Sequence, residues 1–182
     1  MKKYVIIAII VNIIAIVSQV VLQLKFTFSI FNMVRIVGFF IIIYKLFKNE
    51  HDKFFAIGGL FIPLIFNVIV GVEALMHTII YEQFHTTMPW FDILTHTMNI
   101  ICILPSALVL IMSISRLNCN EIEHPEIPAI LHLIFSITTV SMFTYMSNNS
   151  AGTFYYDTLS GIISIFVGTI SNYCICKFIQ NS

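Results

Sequence analysis

The chain is predicted to be an all-α integral membrane protein, a bundle of six transmembrane helices, and two observations carry that expectation. Of its 182 residues, 58% are hydrophobic and 10% charged, with a mean hydropathy of +0.94. A soluble domain carries about 25% charged residues, so this chain can fill a core but cannot cover one with polar side chains. Its apolar residues also fall in runs of about 20, the length that crosses roughly 30 Å of hydrocarbon. These runs lack the period-two alternation of a transmembrane barrel. No internal repeat or second domain is visible, so residues 1–182 read as one transmembrane domain.

The first span covers 4–23. It imitates a signal peptide, but its apolar region is too long and no small-x-small cleavage site follows, so it is read as a retained helix. The second span, 27–47, places Asn32 and Arg35 on one face. In the third, 54–80, Glu73 and His77 stand one turn apart. The fourth, 91–114, opens with "PWFDILTHTMN" and sets Asp92, His96, Asn99 and Ser106 along one line at helical spacing. The fifth, 128–147, starts at Pro128, a residue suited to a first helical turn. The sixth, 158–179, carries the stripe Asp157, Gly161, Ser164, Gly168 and Ser171, small enough for close helix packing.

Basic residues orient the bundle. With the N-terminus inside, the inner segments hold Lys2, Lys3, Lys45, Lys48, Lys53, Arg116 and Lys177, and the outer ones only Lys25. Seven against one is a strong positive-inside bias, so both termini are predicted to be cytoplasmic (N-in, C-in). Cys119, Cys174 and Cys176 then lie at the inner face and Cys102 within the fourth span, none placed for a disulfide in an oxidising compartment. The acidic stretch "LNCNEIEHPEI" at 117–127, with His124, reads as a solvated cytoplasmic turn.

On this topology the ionisable residues gather toward the outer surface. Arg35 and Glu73 both lie seven or eight residues from the outer ends of their helices, about 10–12 Å deep, and are expected to pair, with Asp92 or Asp157 as the substitute partner of Arg35. His77, Asp92, His96 and Asp157 lie closer to that surface, as do Gln19 and Gln23. Charged groups within spans face the bundle interior or a wet cavity and seek partners. The expectation is an outward-facing polar pocket formed by Arg35, Glu73, His77, Asp92, His96 and Asp157. Asn12, Asn32, Asn99, Ser106 and His132 are expected instead to hold helices together.

Chemistry narrows the uses of such a pocket. An arginine fork suits phosphate or carboxylate oxygens. Glu73/His77 and Asp92/His96 are weak metal half-sites, placing nitrogen and oxygen ligands on one helix face. No nucleophile motif, Walker A sequence or dinucleotide fingerprint occurs, and no basic patch suits nucleic acid. The inner half lacks the acidic residues that would carry a proton path across.

Two segments resemble elements of small bacterial polytopic membrane proteins of the YjdF and VanZ-like type. "WFDILTHTMN" is similar to their aromatic-Asp-x-x-x-His element, through Asp92 and His96. "YYDTLSGIISIFVG" is similar to their later Asp-Thr element, through Tyr156, Asp157, Thr158 and Gly168, with "GVEALMHTIIYEQF" upstream. Gly161 and Ile165 stand where that element has a second Asp and an Asn, and the acidic residues of the preceding span are replaced by "TTVSMFTYMS". Over about residues 70–172 the resemblance implies a polytopic protein of the bacterial cytoplasmic membrane without settled activity, and the missing acids count against catalysis. The functional expectation is a non-enzymatic protein that binds a lipid head group or small anionic envelope ligand. The alternatives are a substrate-binding membrane subunit of a vitamin or metal transporter, and a metal-dependent membrane hydrolase.

Overall fold

The structure is a computed structural model that describes residues 2–22, 30–150 and 155–182, with side chains described over 2–18, 33–150 and 155–182. Gln19, Gln23, Lys25 and Asn32, invoked above, lie outside the described side chains. The described chain is helical and contains no strand. In order the helices are α1 (Lys2–Leu22), α2 (Ile30–Lys48), a π-helical turn (Phe55–Phe61) running into α3 (Ile62–Ile80), α4 (Pro89–Ile101), α5 (Leu104–Leu117), α6 (Ile127–Asn149) and α7 (Thr158–Gln180). The π turn with α3, and α4 with α5, each form one rod, leaving six rods. Four of these, Phe55–Ile80, Pro89–Leu117, Ile127–Asn149 and Thr158–Gln180, are long and apolar enough to cross a membrane.

Two prolines distort, without ending, the rods that the apolar pattern predicts. Pro63 has no N–H to give the carbonyl of Gly59, and the ladder before it adopts wider bonds, with the Ile62 amide reaching the Ile57 carbonyl five residues back. Pro105 acts on the predicted 91–114 span. Its ring excludes a bond to the carbonyl of Ile101, and the helix turns at Cys102–Ile103, where the Ile103 amide donates to the Ile100 carbonyl at 3.0 Å. The straight line expected from Asp92 to Ser106 is therefore interrupted.

α7 is packed on by α1, α5 and α6, and α2 lies against α1 and α3. Small residues permit this. A Cβ on Gly168 would collide with the His132 ring, and one on Gly38 with the Pro63 ring, so neither position has room for a side chain.

The start of α1 meets the end of α7, with the Tyr4 and Tyr173 rings edge-on at 6.1 Å. The same end gathers the end of α2, the start of the π turn and the end of α5. There Arg116 Nε donates to the Ser182 carbonyl at 2.9 Å, and His51 Nε2 lies 2.8 Å from Ser113 Oγ. Beneath these polar contacts Leu46, Phe55, Val109, Cys176, Phe178 and Ile179 form the tightest apolar core. We call this the terminal end. The opposite, distal end holds the 81–88 loop and the start of α7.

Candidate functional site

A cavity of about 310 Å³ lies inside the bundle. α2 supplies Arg35, Phe39 and Ile42, α3 supplies Asn67, and α5 supplies Ser106. From α6 comes His132, from α7 Ser164, Ser171 and Asn172, and from α1 Asn12. Ile42, Val109 and Ile175 line it toward the terminal end and belong to the buried apolar core, so the cavity has an apolar floor there. Arg35 is the one permanently charged side chain among the described lining residues. Its side chain is exposed.

The polar lining divides in two. Asn12 is buried and committed: its Nδ2 donates to the Ala8 carbonyl at 2.8 Å and to Ser171 Oγ at 2.9 Å, tying α1 to α7. His132 Nδ1 is 3.1 Å from Thr169 Oγ1, with Ser136 Oγ also in reach, and its ring lies over Gly168. For Arg35, Asn67, Ser106, Ser164 and Asn172, no hydrogen bond or ion pair from the side chain is found among the described residues.

The six residues expected to share one pocket are distributed differently. Arg35 lines the cavity, and the other five do not. No ion pair joins Arg35 to Glu73. Glu73 and His77 are exposed on α3, where the His77 ring lies 4.6 Å from that of Tyr81. Asp157 caps α7 instead: its Oδ1 accepts the Leu159 amide at 3.1 Å, the ordinary task of an Asp at a helix N-cap.

Asp92 and His96 do lie together, at the distal end. Asp92 is wholly buried and accepts three bonds from the loop before its own helix: the amide of His85, the amide of Thr86 at 3.0 Å and the Thr86 hydroxyl at 2.8 Å. Thr86 Oγ1 also accepts the Met88 amide at 3.1 Å, so the turn entering α4 is closed by side chains. His96 is buried one helical turn on, and among the described residues neither ring nitrogen has a hydrogen-bond partner. It is held by apolar faces, edge-on to Phe143 at 5.9 Å, and Phe143 stacks on Tyr156 at 5.2 Å.

Among the described residues no group of three His, Cys, Asp or Glu side chains is placed to hold a metal ion. The two acid/His half-sites remain apart, one exposed on α3 and one closed around a loop. Asn67 and Asn172 carried no functional weight in the sequence, although Asn67 interrupts the apolar run "LIFNVIV" at mid-helix, a placement that asks for a partner. Comparison with family models, with curated proteins and with solved structures returns no match.

Proposed function

We propose that this chain is a six-span membrane protein that binds an anionic group, a lipid head group or a small anion of the envelope, at Arg35. One observation carries the reading: Arg35 lines a cavity among the helices, and among the described residues that lining holds no acidic side chain and Arg35 has no hydrogen-bond or ion-pair partner. Arginine presents five N–H donors and keeps its charge. Leaving such a group inside a span without a partner is costly, and an oxyanion accepting two parallel bonds is the group that answers it. In this reading α1 and α2 join the four long apolar rods as crossings. The terminal end, which collects Lys2, Lys3, Lys45, Lys48, Lys53, Arg116 and Lys177, faces the cytoplasm of a bacterial cell by the positive-inside rule.

The test is thermal unfolding of the detergent-extracted chain, wild type against Arg35→Gln, with and without anionic phospholipid. The expected result is that lipid raises the wild-type midpoint and leaves that of the folded variant unchanged. An equal lipid response in both proteins overturns the assignment to Arg35.

A further inference from the structure

We infer that the ligand is a phosphodiester carrying hydroxyl groups, the chemistry of a glycerol-linked phosphate head, with its charge at Arg35 and its hydroxyl-bearing end directed inward. The inference rests on the reading that the Arg35 cavity takes an anion, and it names which one.

Charge sets the first limit. One guanidinium and no second cation line the described cavity, so it balances one negative charge. A phosphomonoester carries about −1.5 to −2 at neutral pH, and the excess would stay unpaired in a low-dielectric site. A diester carries a single charge. Among the described residues the lining also lacks a carboxylate, and its aromatic rings are those of Phe39 and His132, the latter held by Thr169 and lying over Gly168. An amine or quaternary ammonium on the head group would therefore find neither an acid nor an aromatic cage.

The uncharged polar residues set the second limit. Asn12 and Ser171 satisfy each other, and His132 is held by Thr169 and Ser136. Asn67, Ser106, Ser164 and Asn172 remain, two amides and two hydroxyls facing the same space. Such groups both donate and accept, as a hydroxyl does. Depth gives the order. At 1.5 Å per residue, Arg35 and Ser164 lie about 8–9 Å from the distal ends of α2 and α7, whereas Asn67 and Asn172 lie about 20 Å from the distal ends of α3 and α7. The charge site is thus the outer one, the amides lie beneath it, and Ile42, Val109 and Ile175 close the bottom.

The test titrates the purified full chain, following its thermal midpoint, with four probes: phosphatidylglycerol, phosphatidic acid, phosphatidylethanolamine and free glycerophosphoglycerol. Phosphatidylglycerol is expected to bind about tenfold more tightly than phosphatidic acid, the worth of one or two added hydrogen bonds, and phosphatidylethanolamine to have no effect. Asn172→Ala is expected to reduce that preference toward unity while the response to phosphatidic acid persists. Asn67→Ala, at the same depth, serves the same purpose if the first variant does not fold. A response to glycerophosphoglycerol identifies a soluble ligand, and its absence beside a phosphatidylglycerol response identifies a lipid-borne one; both uphold the inference. Equal affinity for phosphatidylglycerol and phosphatidic acid overturns the diester assignment and leaves the anion site standing. No response to any anion, or one matched by phosphatidylethanolamine, overturns both.

Discussion

Replacing Asp92 with asparagine tests whether the distal acid is a structural clasp or part of a binding surface. The side chain is fully buried and receives the amides of His85 and Thr86 together with the Thr86 hydroxyl. Asparagine keeps the shape but offers one acceptor oxygen, and turns an NH2 group toward donors. At least one of the three bonds is lost, and the others lose the charge that strengthens them. A hydrogen bond to a charged group contributes about 1.5–3 kcal/mol, and a buried donor left unpaired costs about 1–3. The variant is therefore expected to lose about 2–4 kcal/mol, concentrated in the turn before α4. Amide hydrogen exchange at His85 and Thr86 is the direct assay, with an expected acceleration of about 30-fold or more, since each 1.4 kcal/mol is tenfold. The chain has a single tryptophan, Trp90, two residues before Asp92, so its emission reports the same turn. Unchanged exchange at both amides, with a thermal midpoint like that of the wild type, would refute the clasp.

Two further predictions concern the packing and the terminal end. Gly168→Ala drives a methyl into the His132 ring; overpacking of this kind costs about 1–3 kcal/mol, and thermal unfolding should recover part of that loss in the Gly168→Ala/His132→Ala double variant. Acid should weaken the terminal end in two stages. Burial holds the His51 imidazole below its ordinary 6.5, so the unfolded chain takes the proton first and stability begins to drain as pH falls below about 6.5. Burial alone would raise the Asp52 carboxyl, but bonds from the Lys45 ammonium and the Phe55 amide outweigh it and hold it below 3.8, so its contribution survives until pH falls past that value. Unfolding midpoints against pH, with His51→Gln removing the first stage and Asp52→Asn the second, check both signs.

Length and hydropathy made the rods legible. The predicted third, fifth and sixth spans match Phe55–Ile80, Ile127–Asn149 and Thr158–Gln180 to within two residues at either end, because the need to span an apolar slab acts on length directly. The phase of a helix is another matter. The line from Asp92 through His96 to Ser106 assumed an unbroken helix, and the turn at Cys102–Ile103 placed Ser106 in the cavity without the other two. Pro105 was in plain view, but its consequence for facing depends on how the halves re-pack. Asp157 followed by Thr-Leu-Ser is a readable N-cap, and Thr86 six residues before Asp92 is a readable partner. Both local satisfactions are short-range and so readable, and they remove Asp157 and Asp92 from any shared pocket. The division between committed and uncommitted polar residues was not readable. Asn12 and Asn172 look alike on their helices, and only the position of Ser171 against α1 separates them.

The contrast among the charged groups bears on what Arg35 is for. Asp92, Asp157, Lys45 and Asp52 all find partners within seven residues along the chain, at loops or helix ends. Short-range capping of this kind is how a bundle disposes of charge it does not use. Arg35 stands inside α2 on a cavity whose remaining free groups are uncharged. If it served to bind helices together, Arg35→Gln would remove attractive contacts and lower the stability of the ligand-free chain. If it is instead a charge kept for a ligand, removing it takes away a cation that the ligand-free chain holds within a span without a partner, where such a charge is costly, and the variant is expected to be no less stable. The midpoint of the delipidated variant therefore distinguishes the two by sign. A midpoint equal to or above that of the delipidated wild type, with the lipid response gone, is the signature of a site that trades stability for recognition. A lower midpoint returns Arg35 to the scaffold.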